Sequence, residues 1–352
     1  MTVTVRSFAK INLGLAIGAK RADGFHELRT VYQTIALHDV LRVGVERGTG
    51  IEIHCADPRV PRDETNTCWR IVERAMAALR ARGKVVVEIE KRLPVQGGLG
   101  GASGNAVAVL IGLERALGKE MAAADRLRLA AEVGSDLPLF LIGGTVLGVG
   151  RGEEVYPLPD LSSAPCVVAT PEVSVSTPKA FADWDALHAD AETPPERGSA
   201  GTAMSGSSHV DRLKLTGLDA SDRMVELGRV VSSWLSGASR KKGERVSGVP
   251  AGGRGRAETL LLDLVRTGIE NDFERVVFPQ YPELREVKRV LERAGAYYAS
   301  LSGSGSALYG LFRSKAAAAK AAARLRGQGI SAQATFTLTR PQYWKKLRVS
   351  SA

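Results

Sequence analysis

The segment Pro94–Asn105 reads PVQGGLGGASGN, and five of the eight residues from 97 to 104 are glycine. It lies between a strand-like run and a helical pattern. Glycine has no Cβ and adopts positive φ freely, so backbone N–H groups in such a segment can face a ligand. The start of the following helix adds unpaired N–H donors and a partial positive charge. The segment therefore predicts a polyphosphate-binding loop, although a plain strand-to-helix junction shows the same pattern.

The loop differs from the better-known nucleotide-binding motifs. The sequence contains no G-x-x-x-x-G-K-[ST] motif, and Ser103 stands where a dinucleotide-binding loop has its third glycine. The H-R-D and D-F-G pair of protein kinases is also absent. These observations argue against three large nucleotide-binding classes and favour another kind of phosphate loop.

The composition is that of a globular protein with two domains. The chain has 352 residues, 44% of them hydrophobic, and a net charge of +10. That charge favours anionic partners such as nucleotides, phosphorylated metabolites, RNA or acidic membranes. Three distant cysteines and five histidines form no disulfide framework or metal-ligand spacing, which predicts reduced thiols in a cytosol. Neither a signal peptide nor a membrane span is indicated, and we expect a cytoplasmic protein.

Periodicity predicts two groups of strands and helices on either side of residue 160. Residues 183–257 are rich in glycine, serine, proline and charge, and are interpreted as a partly disordered insertion with one amphipathic helix near 224–235. The order of elements after residue 160 suggests a ferredoxin-type split βαβ unit. Strands are predicted over 3–6, 11–19, 30–37, 40–54, 85–90, 166–170, 296–301, 307–312 and 330–338, and helices over 67–82, 105–117, 122–133, 258–268, 282–294 and 315–326.

Five segments in one order make the chain similar to the GHMP kinase superfamily. The glycine-rich loop is typical of the whole superfamily, whereas the first two segments are typical of one of its branches. The resemblance covers nearly the whole chain outside 183–257. The segments are AKINL at 9–13, RADGFH at 21–26, the loop at 94–105, GSDLPLF at 134–140 and LSGSGSA at 301–307.

The resemblance implies an α+β two-domain fold and a kinase activity. The N-terminal α/β domain, residues 1–158, would contain a left-handed βαβ crossover, and residues 159–352 would form a ferredoxin-like domain interrupted by the insertion. The implied reaction is ATP- and Mg²⁺-dependent phosphorylation of the 2-hydroxyl of 4-diphosphocytidyl-2-C-methyl-D-erythritol. That reaction belongs to non-mevalonate isoprenoid synthesis.

The resemblance also implies the catalytic pair Lys10 and Asp136. An aspartate in a turn before Leu-Pro is by itself typical of a cap or turn residue, and a strand lysine is usually solvated. In the family the aspartate accepts the hydroxyl proton and the lysine lies beside it. Such a cation would lower the pKa of the hydroxyl and keep the carboxylate ionised. Asn12 shares a strand face with Lys10 and is a candidate for binding the substrate polyol.

Phe25 and His26 follow an Asp-Gly turn and are candidates for a cytosine pocket. An aromatic ring there would stack on the base, and the imidazole would bind its polar edge. The family usually has tyrosine at position 25; phenylalanine keeps the stacking and loses the phenol hydroxyl. Tyr32 is a further candidate wall. A simple hairpin end with one apolar side chain is the alternative interpretation.

The loop differs from the usual family pattern at three positions. Gln96 and Ala102 replace glycines, and Gly104 replaces a second serine, so Ser103 is the remaining hydroxyl for phosphate or Mg²⁺. No dedicated protein cage for a metal is expected. The candidate ATP-binding residues are Lys91, Pro94, Val95, Gln96, Gly97, Gly98, Leu99, Gly100, Gly101, Ala102, Ser103, Gly104 and Asn105. A second glycine loop, Ser302, Gly303, Ser304, Gly305 and Ser306, would close the cleft, although a simple turn between strands has the same pattern.

Two other interpretations stay open at this point. The chain could be another GHMP-type kinase that acts on mevalonate, homoserine or a sugar. It could also be a basic RNA-binding module, which predicts steeply salt-dependent binding and no ATP turnover. Our expectation is a kinase for a small, cytidyl-diphosphate-linked polyol. It would need neither nucleic acid nor membrane and would act as a monomer or homodimer.

Overall fold

The computed structural model describes residues 1–95, 97–189 and 270–347. Its first half is a mixed sheet with helices packed on one side. β3 and β4 are parallel neighbours joined by a helix, as in a βαβ unit, and the other pairs are antiparallel. The elements are β1 Thr2–Lys20, β2 His26–Glu46, β3 Gly50–Cys55, α1 Thr67–Ala78, β4 Lys84–Glu90, α2 Gly101–Leu117, α3 Ala123–Val133, α4 Leu137–Ile142, β5 Thr145–Val149 and β6 Glu154–Pro157.

The first two strands are long, and β2 is the strand with which β1, β4 and β5 all pair. β1 pairs along one edge of β2, while β4 and β5 pair with different parts of the other edge. The sequence predicted two short strands where β1 is one continuous strand of 19 residues. Register shifts at Phe8/Ala9 and Asn12/Gly14 bracket Lys10 and Asn12. Such bulges bend a strand and redirect its side chains, and here they lie on both sides of two candidate site residues.

The second half is an antiparallel sheet in the order β10-β7-β9-β8, with helices on one face. Two βαβ-type units that interleave in this order define the ferredoxin-like arrangement, which confirms the predicted fold class. The elements are β7 Pro165–Thr170, α5 Thr177–Ala189, α6 Glu274–Gln280, α7 Pro282–Arg293, β8 Tyr298–Leu301, β9 Leu308–Leu311, α8 Lys315–Gly327, β10 Ser331–Phe336 and α9 Arg340–Leu347.

A shared apolar cluster joins the two sheets. Ile11 and Leu13 of β1 pack with Val168 of β7 and Tyr309 of β9, all of them buried. Burial of this part of β1 removes its apolar side chains from water and so stabilises the contact between the two sheets. The three cysteines are buried and free of disulfides. No helix in the described part of the chain is long and apolar enough to cross a membrane.

Several elements differ from the predictions. Helix α2 begins at Gly101, four residues before the predicted start, and Gly104 in its first turn packs closely against Ser7 and Phe8 of β1. Helix α4 was not predicted. Residues 183–189 belong to α5, so the predicted insertion does not begin at 183; the buried Trp184 fixes this part of the helix. The predicted helices at 224–235 and 258–268 lie outside the described residues.

The last helix does not remain with the second sheet. Tyr343 and Leu347 of α9 are buried in the core of the first half, together with residues of α4. The proposed boundary at 158/159 stays a prediction, but this terminal segment packs across it. The handedness of the β3-α1-β4 crossover also stays a prediction.

Candidate active site

Lys10, Tyr32 and Asp136 come together where β1, β2 and the start of α4 meet. The Lys10 Nζ lies 3.6 Å from Asp136 Oδ2, and the Tyr32 hydroxyl donates to Asp136 Oδ1 at 3.1 Å. Lys10 is buried, whereas the Asp136 side chain is 34% exposed. The carboxylate is therefore held from the protein side by a cation and a phenol, and its open side faces solvent.

A chain of buried hydrogen bonds fixes the lysine. Its Nζ donates to Asn12 Oδ1 at 2.7 Å, and Asn12 Nδ2 donates to the Thr30 hydroxyl at 2.7 Å. That hydroxyl donates onward to the Gly14 carbonyl at 2.8 Å. Asn12 is thus a buried link behind Lys10, and the predicted contact between its amide and the substrate polyol stays a prediction.

Burial and charge act in opposite directions on this lysine. Burial lowers the pKa of the Lys10 ammonium below the ordinary lysine value, and the charge and hydrogen bond of Asp136 offset part of that shift. Burial also raises the pKa of Tyr32 well above its ordinary value, and the nearby Asp136 charge raises it further. Tyr32 therefore keeps its proton and remains a donor to the carboxylate.

The side chain of Asp136 does not act as a helix cap. Asp136 occupies the N-cap position of α4, but its carboxylate makes no capping hydrogen bond, and its backbone is already helical. A capping aspartate ordinarily accepts from a backbone N–H of the first turn. The carboxylate instead points to Lys10 and Tyr32, so the cap interpretation left open by the sequence is not supported.

The two glycine loops contact each other directly beside this group. The Ser302 hydroxyl donates to the Gly98 carbonyl at 2.9 Å, and the Ala307 amide donates to the Gly97 carbonyl at 3.1 Å. A Cβ at Gly98, where φ is +72°, would lie 2.0 Å from the Ser302 carbonyl oxygen. A Cβ at Gly303 would lie 3.5 Å from Lys10 Nζ. The second loop therefore lies against both the first loop and the lysine, and its predicted role in closing the cleft stays a prediction.

A cavity of about 380 Å³ lies on the other side of the first loop. It is lined by loop residues 97–103, by Asn105 and by the start of α1 at Asn66–Cys68. Gly100 caps α2 in the left-handed conformation and supplies no capping side chain. The N–H groups at the start of α2 thus stay available to an anion, which a helix N-terminus attracts. Gln96, one of the predicted ATP-binding residues, lies outside the described residues.

Lys91 lines the same cavity and is held by a buried carboxylate. Its Nζ donates to Asp39 Oδ2 at 2.6 Å, and Asp39 Oδ1 accepts from the backbone N–H groups of Arg92 and Leu93. Asp39 is fully buried. The lysine lies next to the first turn of α2, since a Cβ at Gly101 would be 3.3 Å from Nζ. Its predicted contact with ATP fits this position and stays a prediction.

The structure describes two of the three loop positions that differ from the usual family pattern, 102 and 104. A Cβ at Gly104 would lie 2.9 Å from both the Phe8 carbonyl oxygen and Ser7 Oγ, so a side chain there would collide with β1. Ala102 is exposed at the start of α2. Ser103 lines the cavity. Of the loop positions 102–104, Ser103 therefore carries the one hydroxyl that faces the cavity.

A second cluster of aromatic residues lies at the start of β2. Phe25 is 52% exposed, and the guanidinium of Arg151 lies 5.0 Å from its ring centroid. His26 is buried, stacks on Phe181 at 4.8 Å and 9°, and shares a 2.5 Å hydrogen bond between Nε2 and Asp185 Oδ1. One imidazole nitrogen is therefore already occupied, which the sequence did not predict.

Several residues of the site were missed in the sequence. Asp39, Thr30, Phe181 and Asp185 are far from the residues they support, between 18 and 159 positions along the chain. Tyr309 likewise donates to the Asn12 carbonyl at 2.6 Å from 297 positions away. Periodicity carries no signal for such pairs, and only the fold brings them together.

Comparison with known proteins indicates the class of protein to which this chain belongs. The family descriptions "GHMP kinases N terminal domain" and "GHMP kinases C terminal" match residues 66–144 and 256–331. A crystal structure of a homoserine kinase from Cytophaga hutchinsonii superposes with a TM-score of 0.66 at 21% identity, over 96% of this chain and 95% of that one. The fold and the paired glycine loops thus define a GHMP kinase, a small-molecule phosphotransferase.

Closer relatives carry one name within this class. A 4-diphosphocytidyl-2-C-methyl-D-erythritol kinase from Solibacter usitatus is 35% identical over 88% of this chain and 81% of its own length, and one from Acaryochloris marina is 31% identical over 92% and 91%. A crystal structure of 4-(cytidine 5'-diphospho)-2C-methyl-D-erythritol kinase is 27% identical, with a TM-score of 0.63, over 95% of this chain and 98% of that one. The chain belongs to the 4-diphosphocytidyl-2-C-methyl-D-erythritol kinase family.

Proposed function

We propose that this protein transfers the γ-phosphoryl group of ATP to the 2-hydroxyl of 4-diphosphocytidyl-2-C-methyl-D-erythritol. The observation that carries the proposal is the group formed by Lys10, Tyr32 and Asp136 beside two touching glycine loops. A carboxylate with an open side, next to a helix N-terminus that binds phosphate, is what transfer to an alcohol requires. This phosphorylation is the step of the non-mevalonate route to isoprenoid precursors for which the family is named.

Each side chain has a separate task in this reaction. Asp136 accepts the proton of the attacking hydroxyl on its exposed side, while Tyr32 and Lys10 hold its two oxygens from behind. The Lys10 ammonium also stabilises the charge that develops during transfer. Backbone N–H groups at the start of α2 and Lys91 hold the phosphates. The transfer is direct, with no covalent enzyme intermediate.

The loop fits a magnesium nucleotide. The cavity beside it presents the α2 N-terminus, the Ser103 hydroxyl and Lys91 on one wall, which is the donor set that a polyphosphate needs. Mg²⁺ bound to the phosphates would neutralise part of their charge, and Ser103, which lines the cavity, is the candidate loop hydroxyl to contact it. The adenine would occupy the part of the cavity lined by Asn66–Cys68.

The length of β2 supports a long acceptor molecule. His26 and Tyr32 are six positions apart on one strand, so they are separated by roughly 20 Å at about 3.3 Å per residue. A cytidyl diphosphate joined to a polyol is long enough to place its base near Phe25, His26 and Phe181 while a hydroxyl reaches Asp136. Short acceptors such as homoserine or mevalonate leave the aromatic end unused.

The test is product analysis by mass spectrometry. Purified protein is incubated with Mg-ATP and the cytidyl substrate, with mevalonate and homoserine as parallel acceptors. We expect a singly phosphorylated product from the cytidyl substrate alone. Phosphorylation of only mevalonate or homoserine would show that the substrate assignment is wrong, and a folded protein that phosphorylates nothing would contradict the kinase assignment.

The aromatic end of the site gives a second, separate test. Phe181→Leu removes the ring on which His26 stacks, and Phe25→Leu removes the exposed ring beside Arg151. We expect each variant to raise the KM for the cytidyl substrate roughly tenfold, because stacking on a base is worth about 1–3 kcal/mol, with the KM for ATP unchanged. Unchanged KM values for both substrates would place the base elsewhere.

A cytoplasmic location and a monomeric or dimeric state are further parts of the proposal.

A further inference from the structure

Helix α4, which begins directly after Asp136, is too short to hold its own position. It has six residues, and isolated helices of this length are unstable in water. Its last carbonyls lack intrahelical partners, as at every helix end. Gly143 N–H donates to the Leu139 carbonyl at 2.8 Å, but Gly144 N–H donates to the Thr34 hydroxyl at 3.0 Å and not back to the helix. The carbonyls of Phe140 and Ile142 must be satisfied from another element.

The C-terminal helix α9 supplies those two donors. The Tyr343 hydroxyl donates to the Phe140 carbonyl at 2.6 Å, and Trp344 Nε1 donates to the Ile142 carbonyl at 2.9 Å. The Tyr343 ring also lies flat against the turn after α4, since a Cβ at Gly143 would be 2.3 Å from it. Burial raises the pKa of Tyr343, so it keeps the proton that it donates.

The other side of α4 contacts the phosphate loop. A Cβ at Gly100 would lie 3.0 Å from the Phe140 ring and 3.0 Å from Lys10 Cγ. Phe140 is fully buried. One residue, Phe140, thus touches the glycine loop with its ring and is held by α9 through its carbonyl. The helix that presents Asp136 also supports the loop proposed to hold the phosphate donor.

The start of α9 and the residues just before it are themselves held by hydrogen bonds to β2, β5 and the segment that follows β6. Arg340 donates from its backbone N–H to Asp160 at 2.8 Å, and from Nη2 to the Thr145 and Leu158 carbonyls at 3.0 and 3.1 Å. The Leu338 N–H donates to the Thr34 carbonyl at 2.8 Å. These contacts fix the position of the donors on α9. A shift of α4 relative to α9 would therefore break the hydrogen bonds from Tyr343 and Trp344.

We infer that Tyr343 is a positioning residue for phosphoryl transfer, acting through α4 to set Asp136 relative to the glycine loop. The inference rests on the proposed role of Asp136. Tyr343 itself is not placed in contact with either substrate. Removal of the Tyr343 hydroxyl leaves a buried carbonyl unpaired, and α4 then moves to regain a partner. Because Asp136 lies at the end of that helix, small displacements reach the reacting atoms, where about 1 Å can cost 10²-fold in rate.

The experiment compares Tyr343→Phe and Trp344→Phe with two controls. Tyr156→Phe removes a hydroxyl from an exposed tyrosine on β6, and Val290→Ala destabilises α7 in the core of the second half. For each purified full-length protein we would measure kcat, the KM for both substrates, ADP affinity by calorimetry, the melting temperature and hydrogen exchange of residues 137–143.

We expect kcat of Tyr343→Phe to fall roughly tenfold to a hundredfold while KM and ADP affinity stay within about twofold. Exchange of the α4 amides should rise in the same variant, and neither control should reproduce these effects even where Val290→Ala lowers the melting temperature equally. An unchanged kcat, or a loss matched by Val290→Ala, would overturn the inference.

The exchange measurement does not depend on the acceptor. If wild-type protein phosphorylates a different alcohol, the proposed substrate fails, and the same comparison of kcat is made with that alcohol. A wild-type level of α4 exchange in Tyr343→Phe would overturn the inference whichever substrate is used.

Discussion

At the residue scale, the chemistry depends on what surrounds the Asp136 carboxylate. Tyr32 donates to one of its oxygens and Lys10 Nζ lies 3.6 Å from the other, so both neighbours hold the carboxylate from the protein side. The side chain keeps an exposed side of 34% for the acceptor hydroxyl. An ionised carboxylate with free lone pairs can both orient a hydroxyl and accept its proton.

Replacement of this carboxylate by an amide tests its role directly. Asp136→Asn keeps the shape but loses the proton acceptor, and we expect kcat to fall by about 10²- to 10⁴-fold, the usual contribution of a general base. ADP affinity, measured by calorimetry, should be unchanged. Asp183→Asn is a matched control, because that side chain is also partly exposed, at 30%, and is paired with Lys179 away from the Lys10 group. Near-normal turnover of Asp136→Asn would disprove the assignment.

The pH dependence of turnover reports on Lys10. Its pKa is lowered by burial, so the ammonium loses its proton as the pH rises through a value below that of an ordinary lysine. We expect kcat to fall as the pH rises, before the ordinary lysine pKa is reached. Circular dichroism at each pH would be the control for unfolding. A profile that stays flat up to the ordinary lysine pKa would show that the charge on Lys10 is not needed.

The same shift has a defined effect on stability. The folded state binds the Lys10 proton less tightly than the unfolded chain does. Burial of the charged amine therefore costs folding free energy below the folded-state pKa, and the cost disappears as the pH rises through the unfolded-state pKa. Lys10 is thus a residue kept at some expense of stability, which is common for functional groups.

At the scale of elements, the contact between the two glycine loops decides the shape of the cleft. Gly98 and Ser302 are so close that a Cβ would lie 2.0 Å from a carbonyl oxygen. The loops belong to the first and second sheets, and this contact brings phosphate-binding groups against the lysine. Local sequence explains why each loop turns, and packing explains why they meet.

Two glycine-to-alanine variants separate conformational strain from this contact. Gly98 and Gly118 both have positive φ, +72° and +62°, but only Gly98 faces a nearby atom, since a Cβ at Gly118 would meet nothing within 4 Å. Gly118→Ala should cost only the strain, about 1–2 kcal/mol. We expect Gly98→Ala to lose more folding free energy in urea and to raise the KM for ATP. Equal effects of both variants would mean that the contact between the loops contributes nothing.

At the scale of the whole molecule, the proposed acceptor site combines a long strand of the first half with a helix of the second half. β2 carries His26 near one end and Tyr32 further along, while α5 from the second half adds Phe181 and Asp185. These residues therefore lie on a strand of the first half and on a helix of the second half. A fold shared with homoserine kinase does not by itself choose the substrate.

The basic segment that interrupts the sequence of the second half gives a prediction at this scale. Residues 196–255 carry no residue that we place in the site, so their deletion should leave kcat and both KM values unchanged. Any affinity for RNA, measured by fluorescence anisotropy at several salt concentrations, should disappear with them, because it would depend on their charge. Loss of turnover in a folded deletion variant would show that the segment takes part in catalysis.

Local sequence determined much of this protein. The glycines of 97–104 indicated the phosphate loop, alternation indicated most strands, and the motifs around Lys10 and Asp136 indicated the kinase family. These features depend on a residue and its near neighbours. Helix α2 began earlier than predicted because its first turn contains glycines, which are poor helix formers; one of them, Gly104, packs closely against β1.

Only the tertiary structure decided which residues support the site. Asp39 binds Lys91 from 52 positions away, Asp185 binds His26 from 159, and Tyr343 binds the Phe140 carbonyl from 203. Helix α4 is too short to be predicted from its own six residues, and it is held by α9 from the far end of the chain. Such contacts are set by the packing of distant elements, which leaves no periodic trace in the sequence.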